Sequence, residues 1–264
     1  MRIVYFGNNT IGWSVLRWLK EQGEEIVGLV VHPPKRSLHA SEILSLVDPN
    51  ACRIFDGSLL SDSEVQDALK ALNPDIGISV GFGYVLRKEI LSLFPRGCVN
   101  LHPAFLPYNR GAYPNVWSLV EGTPAGVTLH YMDEGVDTGD IIAQRRVPTE
   151  LSDTGESLYL RLERESLGLF QESWGALRDP DRLVRAPQQK EAGSLHRVSD
   201  VKRIDEIALD RSYLAKDLIN ILRARTFPPH RGAYFIHEGR KIYLRLQLME
   251  ESDILGEAND GELR

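Results

Sequence analysis

The chain of 264 residues predicts an α/β fold: a mostly parallel sheet covered by helices on both faces, then a small C-terminal module of one helix and a β-hairpin. Three observations predict it. Short, near-continuous apolar runs recur through the first half of the chain, as strands buried on both faces require. Stretches with helical spacing separate them. Beyond residue 178 the periodicity lapses and resumes as one helix and two strands of alternating character.

Taken in order, RIVYF (2–6) is a β-branched and aromatic strand that closes on Gly7. IGWSVLRWLKEQG (11–23) places Ile11, Val15, Leu16 and Leu19 on one helical face. EIVGLVV (25–31) is the second strand, ending at His32-Pro33-Pro34, and CRIF (52–55) the third. Ser61 or Asp62 can cap the helix that follows. PDIGISVG (74–81), CVNLH (98–102), GVTLHYM (126–132) and IIAQRRVP (141–148) continue the strand series. The longest helical pattern spans 154–178, with Thr154 as cap and Leu158, Leu162, Leu169 and Phe170 facing the sheet.

DPDRLVRAPQQKEAGSLHR (179–197) reads as a connecting segment over the surface, and a boundary near Arg185 divides 1–185 from 186–264. The C-terminal part holds a helix around 211–224 and a hairpin joining GAYFI through HEGR to KIYLRLQL, where Ile242, Leu244, Leu246 and Leu248 alternate with polar neighbours. From Glu250 the sequence is acidic and reads as frayed.

Composition removes several function classes. No apolar run approaches the roughly 20 residues of a membrane span. The N-terminus enters a strand directly instead of showing a secretory leader, so the expected location is the cytoplasm. Cys52 and Cys98 lie in apolar runs without a C-x-x-C or a Cys/His cluster, which predicts buried thiols and no metal site. A net charge of -6 weighs against a protein that grips nucleic-acid backbone.

Three segments are candidates for chemistry. GNNTIG (7–12) follows a strand and opens a helix, where backbone N–H groups can meet an anion. Asn9 replaces the middle glycine of a dinucleotide fingerprint, and no acidic residue ends the second strand, so a tight turn at a strand-to-helix junction is the favoured reading. In VNLHPAFLPYNRGAYPNVW (99–117), Asn100 and His102 stand two apart at a strand's carboxyl end and point to the same side. Ligands of open α/β sheets bind at that end. An amide beside an imidazole can donate to an oxygen that becomes negative in acyl transfer. YMDEGVDTGDIIAQ (131–144) carries Asp133, Glu134, Asp137 and Asp140, which by themselves read as an acidic turn and lack the spacing of a calcium loop.

The pairing of NLHPAFLPYNRG with MDEGVDTGDI about thirty residues later resembles the formyltransferase family that uses 10-formyltetrahydrofolate. The resemblance covers at least residues 1–178 and implies a Rossmann-like core. It places the family's catalytic set on Asn100, His102 and Asp137. The segment SVGFGYVLRKEIL (79–91) is similar to the family's pterin-clasping loop, which assigns Gly81, Phe82, Gly83, Tyr84 and Leu86, together with Asp133, to the folate. Within that chemistry Asp137 is expected to raise the pKa of His102 and favour an imidazolium.

The region after the catalytic histidine and LINILRARTFPPHRGAYFI (218–236) are similar to sugar N-formyltransferases acting on nucleotide-linked amino sugars. The implied acceptor is a dTDP-4-amino-4,6-dideoxyhexose destined for surface polysaccharide such as lipopolysaccharide O-antigen, and the implied assembly is a homodimer. Methionyl-tRNA formyltransferases resemble a longer chain with a C-terminal barrel and a basic insert, so transfer RNA is disfavoured. Asn9, Tyr108, Arg110, Tyr113, Phe227 and Tyr234 are the candidate acceptor contacts. Arg110 suits a phosphate or its own loop, Tyr113 a base or the core, and Phe227 and Tyr234 a nucleotide platform or a packed turn. Alternatives are a formyltetrahydrofolate hydrolase, a formyltransferase with another small amine acceptor, an NADP-dependent reductase using Lys35 and Arg36, and an inactive binding protein on the same fold.

Overall fold

The computed structural model describes residues 1–251 apart from 180 and 182. Its central sheet has seven strands: β1 (Arg2–Gly7), β2 (Glu25–Val31), β3 (Arg53–Asp56), β4 (Ile76–Val80), β5 (Cys98–His102), β7 (Gly126–Tyr131) and β8 (Ile141–Arg146). They lie in the order β3-β2-β1-β4-β5-β7-β8. Alternate residues of β1 feed two separate cores. Ile3 and Tyr5 join Leu16, Leu19, Phe170 and Trp174 on one face, while Val4 and Phe6 join Phe55, Leu69, Ile90 and Phe94 on the other. A strand packed on both faces has no polar side to show, which explains its unbroken apolar run.

Helix α1 (Asn9–Glu21) and the long α6 (Gly155–Arg178) cover the first face. The Thr154 side chain accepts from Ser157 N, and the Ser157 side chain caps Thr154 N in return, a closed capping box. The shorter α3 (Ser63–Lys70), capped by Asp62, and α4 (Lys88–Leu91) cover the second face. Between α1 and α3 in sequence lies α2 (Ala40–Leu44). Cys52 and Cys98 are both buried and free, and burial pushes the Cys52 thiol up to about 11.

The chain leaves β1 toward β2 and β3, then returns to the other side of β1 as β4, so the sheet switches direction between β1 and β4. The crevice beyond their carboxyl ends is a natural ligand site. The walls approach closely there: at Gly81, φ +64°, a β-carbon would stand 2.5 Å from the Asn8 carbonyl oxygen. Past β5 a two-residue strand β6 (Arg110–Gly111) and helix α5 (Pro114–Glu121) lead to β7, which runs antiparallel to β5. That one reversal sets Asn100 directly opposite His130.

The segment expected to run over the surface does not do so throughout. Ala186 bridges to Ile141, and β9 (Leu195–His196) pairs with β6. The backbone N–H groups of Arg110 and Ala112 need acceptors, and this segment supplies them from Ser194 and His196. Further on, α7 (Lys202–Asp205) precedes α8 (Ala215–Ala224), which starts later than the expected 211. Arg223 seats α8 against the loop before α6 by donating to the carbonyls of Glu150 and Leu151 at 2.9 and 3.1 Å. The hairpin β10 (Tyr234–His237) and β11 (Arg240–Tyr243) turns at Glu238-Gly239, both at positive φ. Its second strand is shorter than the alternating sequence suggested, though Leu244 N still reaches the Ala233 carbonyl at 2.8 Å. The acidic terminal stretch from 252 lies outside the described residues. Among the described residues no helix is long and apolar enough to cross a membrane.

Leu162 is fully buried where α6 meets the sheet, so Leu162→Ala should destabilise the fold by about 2–5 kcal/mol. Urea unfolding followed by circular dichroism measures this.

Candidate active site

Strand alternation turns Asn100 and His102 to one side of β5, and the β7 partner adds His130 beside them. Asp137 enters from the loop between β7 and β8, held in the left-handed region at φ +52°. The Asn100 amide nitrogen donates to Asp137 Oδ1 at 3.3 Å and to His130 Nε2 at 3.2 Å. His102 Nδ1 stands 3.6 Å from Asp137 Oδ2, and His130 Nε2 stands 3.5 Å from Oδ1. Gly111 N donates to Asp137 Oδ2 at 2.8 Å. His130 Nδ1 lies 2.7 Å from the Tyr131 carbonyl, which only accepts, so that nitrogen carries the proton and Nε2 is free to accept from Asn100. His102 Nε2 faces the Asn109 carbonyl at 3.3 Å and its Nδ1 faces the Asp137 carboxylate, so both ring nitrogens look onto groups that only accept.

Burial works to raise the Asp137 carboxyl, but the neighbouring His102 and His130 rings and the Gly111 N–H outweigh it. The group is held well below the usual carboxylate range and stays ionised. His102 departs from the expectation of a raised pKa. Its burial outweighs the attraction of Asp137, its value falls below the ordinary 6.5, and the imidazole is neutral at neutral pH.

Residues 81–86 form the loop after β4. Gly81, Gly83 and Val85 are exposed, Phe82 and Tyr84 half-buried, and Leu86 is core, packed with Ile90 and Phe94. The loop is braced by a residue the sequence reading had counted only against a dinucleotide fingerprint. His32 Nε2 accepts from Gly83 N at 3.0 Å, and its ring meets those of Phe82 and Tyr84 at 5.0 and 4.9 Å. Burial lowers the pKa of His32 also, as that acceptor role requires. Exposed backbone between half-buried rings fits a flat heteroaromatic ligand. Asp133 is committed to its own turn, accepting from Gly135 N at 3.0 Å and from the Thr138 hydroxyl.

A cavity of about 490 Å³ opens between the turn after β1, the start of α5 and the end of α8. Three of the candidate acceptor contacts, Asn9, Tyr113 and Phe227, line it. Tyr159, Arg225, His230 and Arg231 also line it, and the sequence reading missed all four. Asn9 Nδ2 donates to the Tyr159 hydroxyl at 2.6 Å, and that hydroxyl donates to Glu163 at 2.7 Å. Tyr108 and Arg110 do not line the cavity. Arg110 Nε donates to the Ser194 carbonyl at 3.3 Å, the loop-clamping alternative. Tyr234 lies in the hairpin, its hydroxyl on Glu206 at 3.0 Å and its ring under Lys241. Among the described residues no group of three or more His, Cys, Asp or Glu side chains is placed to hold a metal ion.

Residues 1–172 match the family model described as formyl transferase. The chain belongs to the formyltransferase family. Residues 200–250 match a second model, the N-formyltransferase dimerization C-terminal domain. The methionyl-tRNA formyltransferase of Marinobacter nauticus is 30% identical, with 89% of this chain and 75% of that protein covered. Among solved structures, a 4-N formyltransferase from Francisella tularensis superposes with a TM-score of 0.80 at 26% identity, covering 94% of this chain and 98% of that one. The formyltransferase PseJ from Anoxybacillus kamchatkensis, in complex with UDP-4,6-dideoxy-4-formamido-L-AltNAc and tetrahydrofolate, gives 0.53 at 32% identity over 67% of this chain and 88% of its own. The chain is thus a formyltransferase, and Asn100, His102 and Asp137 lie together at the carboxyl end of its sheet.

Because both His102 and His32 are held below their ordinary 6.5, the unfolded chain binds more protons than the folded one once pH falls below that value. Their contribution is therefore intact above pH 6.5 and lost on acidification. The melting temperature should fall steadily from pH 6.5 to 5, and less steeply in His32→Gln, as read by scanning calorimetry.

Proposed function

We propose that this formyltransferase moves a formyl group from 10-formyltetrahydrofolate to the amine of a nucleotide-linked amino sugar, with Asn100, His102 and Asp137 as its catalytic residues. The observation that carries the reading is the cluster of Asn100, His102 and Asp137, spaced at 3.3–3.6 Å, at the same end of the sheet as the aromatic and cationic cavity. The loop 81–86 offers the donor's pterin its exposed backbone and the rings of Phe82 and Tyr84. In the cavity, the rings of Tyr113, Tyr159 and Phe227 suit a base and sugar, while Arg225 and Arg231 suit a diphosphate.

Attack of the neutral amine forms a C–N bond and drives negative charge onto the formyl oxygen. The Asn100 amide and the His102 N–H turn from Asp137, His130 and the Asn109 carbonyl to donate to that oxygen and stabilise it, in a buried site where such donors act strongly. Asp137 stays ionised and orients His102. It receives the amine proton, directly or through one water, and passes it to the leaving nitrogen as the old C–N bond breaks. A carboxylate this weakly basic relays the proton and does not retain it.

The fold shared with the 4-N formyltransferase supports a 4-amino acceptor, which we read as a dTDP-4-amino-4,6-dideoxyhexose for surface polysaccharide. The match of 200–250 to a dimerization domain, and the exposed Leu214, Ile219, Ile236 and Ile242 of that module, support a homodimer. Two free, buried thiols agree with a reducing cytoplasm.

The decisive experiment incubates the protein and 10-formyltetrahydrofolate with a panel of nucleotide-linked amino sugars and with methionyl-tRNA, reading product mass. A formyl group gained by one sugar is the expected result. Formylation of the tRNA alone would replace the acceptor, and folate deformylation without any amine would make the protein a hydrolase. Asn100→Ala and His102→Ala should each lower turnover by about 100- to 1,000-fold, with donor affinity retained by fluorescence titration.

A further inference from the structure

Asp137 does not hold its position unaided. It is a residue with a β-carbon in the left-handed region, in a loop where Asp133 bonds Gly135 and Thr138. Two backbone carbonyls of that loop point to a side chain far along the chain. Gln188 Nε2 donates to the carbonyl of Asp137 at 2.9 Å and to that of Gly139 at 2.7 Å. Its own Oε1 is buried without a hydrogen-bond partner, so the amide is oriented by its donors and not by what its oxygen could accept.

The same segment then crosses to the other loop of the site. Ser194 Oγ accepts from Asn109 N at 2.9 Å and the Ser194 carbonyl from Arg110 N at 3.0 Å. The His196 ring stacks on Trp117 at 4.1 Å. Its carbonyl accepts from Ala112 N at 2.8 Å and lies so close to Gly111 that a β-carbon there would stand 2.3 Å from it. That loop supplies the Asn109 carbonyl facing His102 and the Gly111 N–H on the Asp137 carboxylate.

We infer that Gln188 is a positioning residue for Asp137, and that residues 186–196 form a strap fixing the two loops that carry the site against each other. The inference rests on the catalytic reading of Asp137 above. Gln188 reaches no reacting atom; it acts through the backbone of the residue that does. A carboxylate relay between an amine and a leaving nitrogen tolerates little displacement, since a misplacement of about 1 Å can cost about 100-fold in rate.

The test compares Gln188→Ala with the isosteric Gln188→Glu, which keeps the packing but sets a carboxylate against two carbonyl oxygens. Turnover should fall on the order of 100-fold in both, with the donor KM within about twofold of wild type. Gln188→Glu should recover as pH is lowered and its carboxyl regains an O–H donor, whereas Gln188→Ala should not. Independently of any acceptor, the imidazole resonances of His102 should titrate at lower pH in both variants, in the same direction as in Asp137→Asn. Gln188→Glu matching wild type in turnover would overturn the inference and reduce Gln188 to packing, as would an unchanged His102 titration in both variants. If wild type formylates nothing in the panel, the proposed function fails while the His102 titration still decides the strap.

Discussion

The site depends on keeping one carboxylate ionised inside the protein. A buried charge is costly unless it is paired and hydrogen-bonded, and four groups surround Asp137: the His102 and His130 imidazoles, the Asn100 amide and the Gly111 N–H. Each compensating group also has a place of its own in the fold. His102 and Asn100 sit on β5, His130 on β7 and Gly111 on β6, so the carboxylate ties three strands into one arrangement. Its charge has a further effect on His102, whose pKa would be lowered more by burial alone.

The reversal of β7 is the topological feature that makes this possible. With β7 antiparallel, Tyr131 lies opposite Val99, so the loop after β7 leaves beside the amino end of β5 and folds back along the strand to bring Asp137 to Asn100 and His102. Running antiparallel, β7 delivers the loop with Asp137 beside the two strands that hold its partners. His32 serves the neighbouring loop in a comparable way. A neutral imidazole at the end of β2 accepts from Gly83 and packs between Phe82 and Tyr84, so strand ends from both sides of the switch point build the two halves of the crevice.

The parts of the site that were legible in the sequence are those set by local geometry. Asn100 and His102 share a side because strand periodicity is two, and the cap at Thr154 follows from a hydroxyl ahead of a helical pattern. Asp137 could be singled out among four acidic residues only through family resemblance, since its loop alone reads as an acidic turn. Gln188, Gly111, His130 and His32 meet their partners across separations of 51, 26, 30 and 51 residues. No local pattern records such pairings, and a segment rich in Pro, Gln and Gly looks like a connector whether or not it folds back. Tyr159 was hidden for the same reason: it lies in a helix whose periodicity announces core, 150 residues from the Asn9 amide it receives.

What the sequence by itself determined is the series of elements and the face each buries, because propensity, hydrophobic period and caps act over a few residues. It also determined the residue types available to the chemistry. Tertiary structure alone decided their state. Whether His102 is charged depends on how completely the folded protein removes it from water and how near it brings Asp137. Burial wins that balance, because desolvation is imposed by every surrounding atom while the attraction comes from one carboxylate 3.6 Å away.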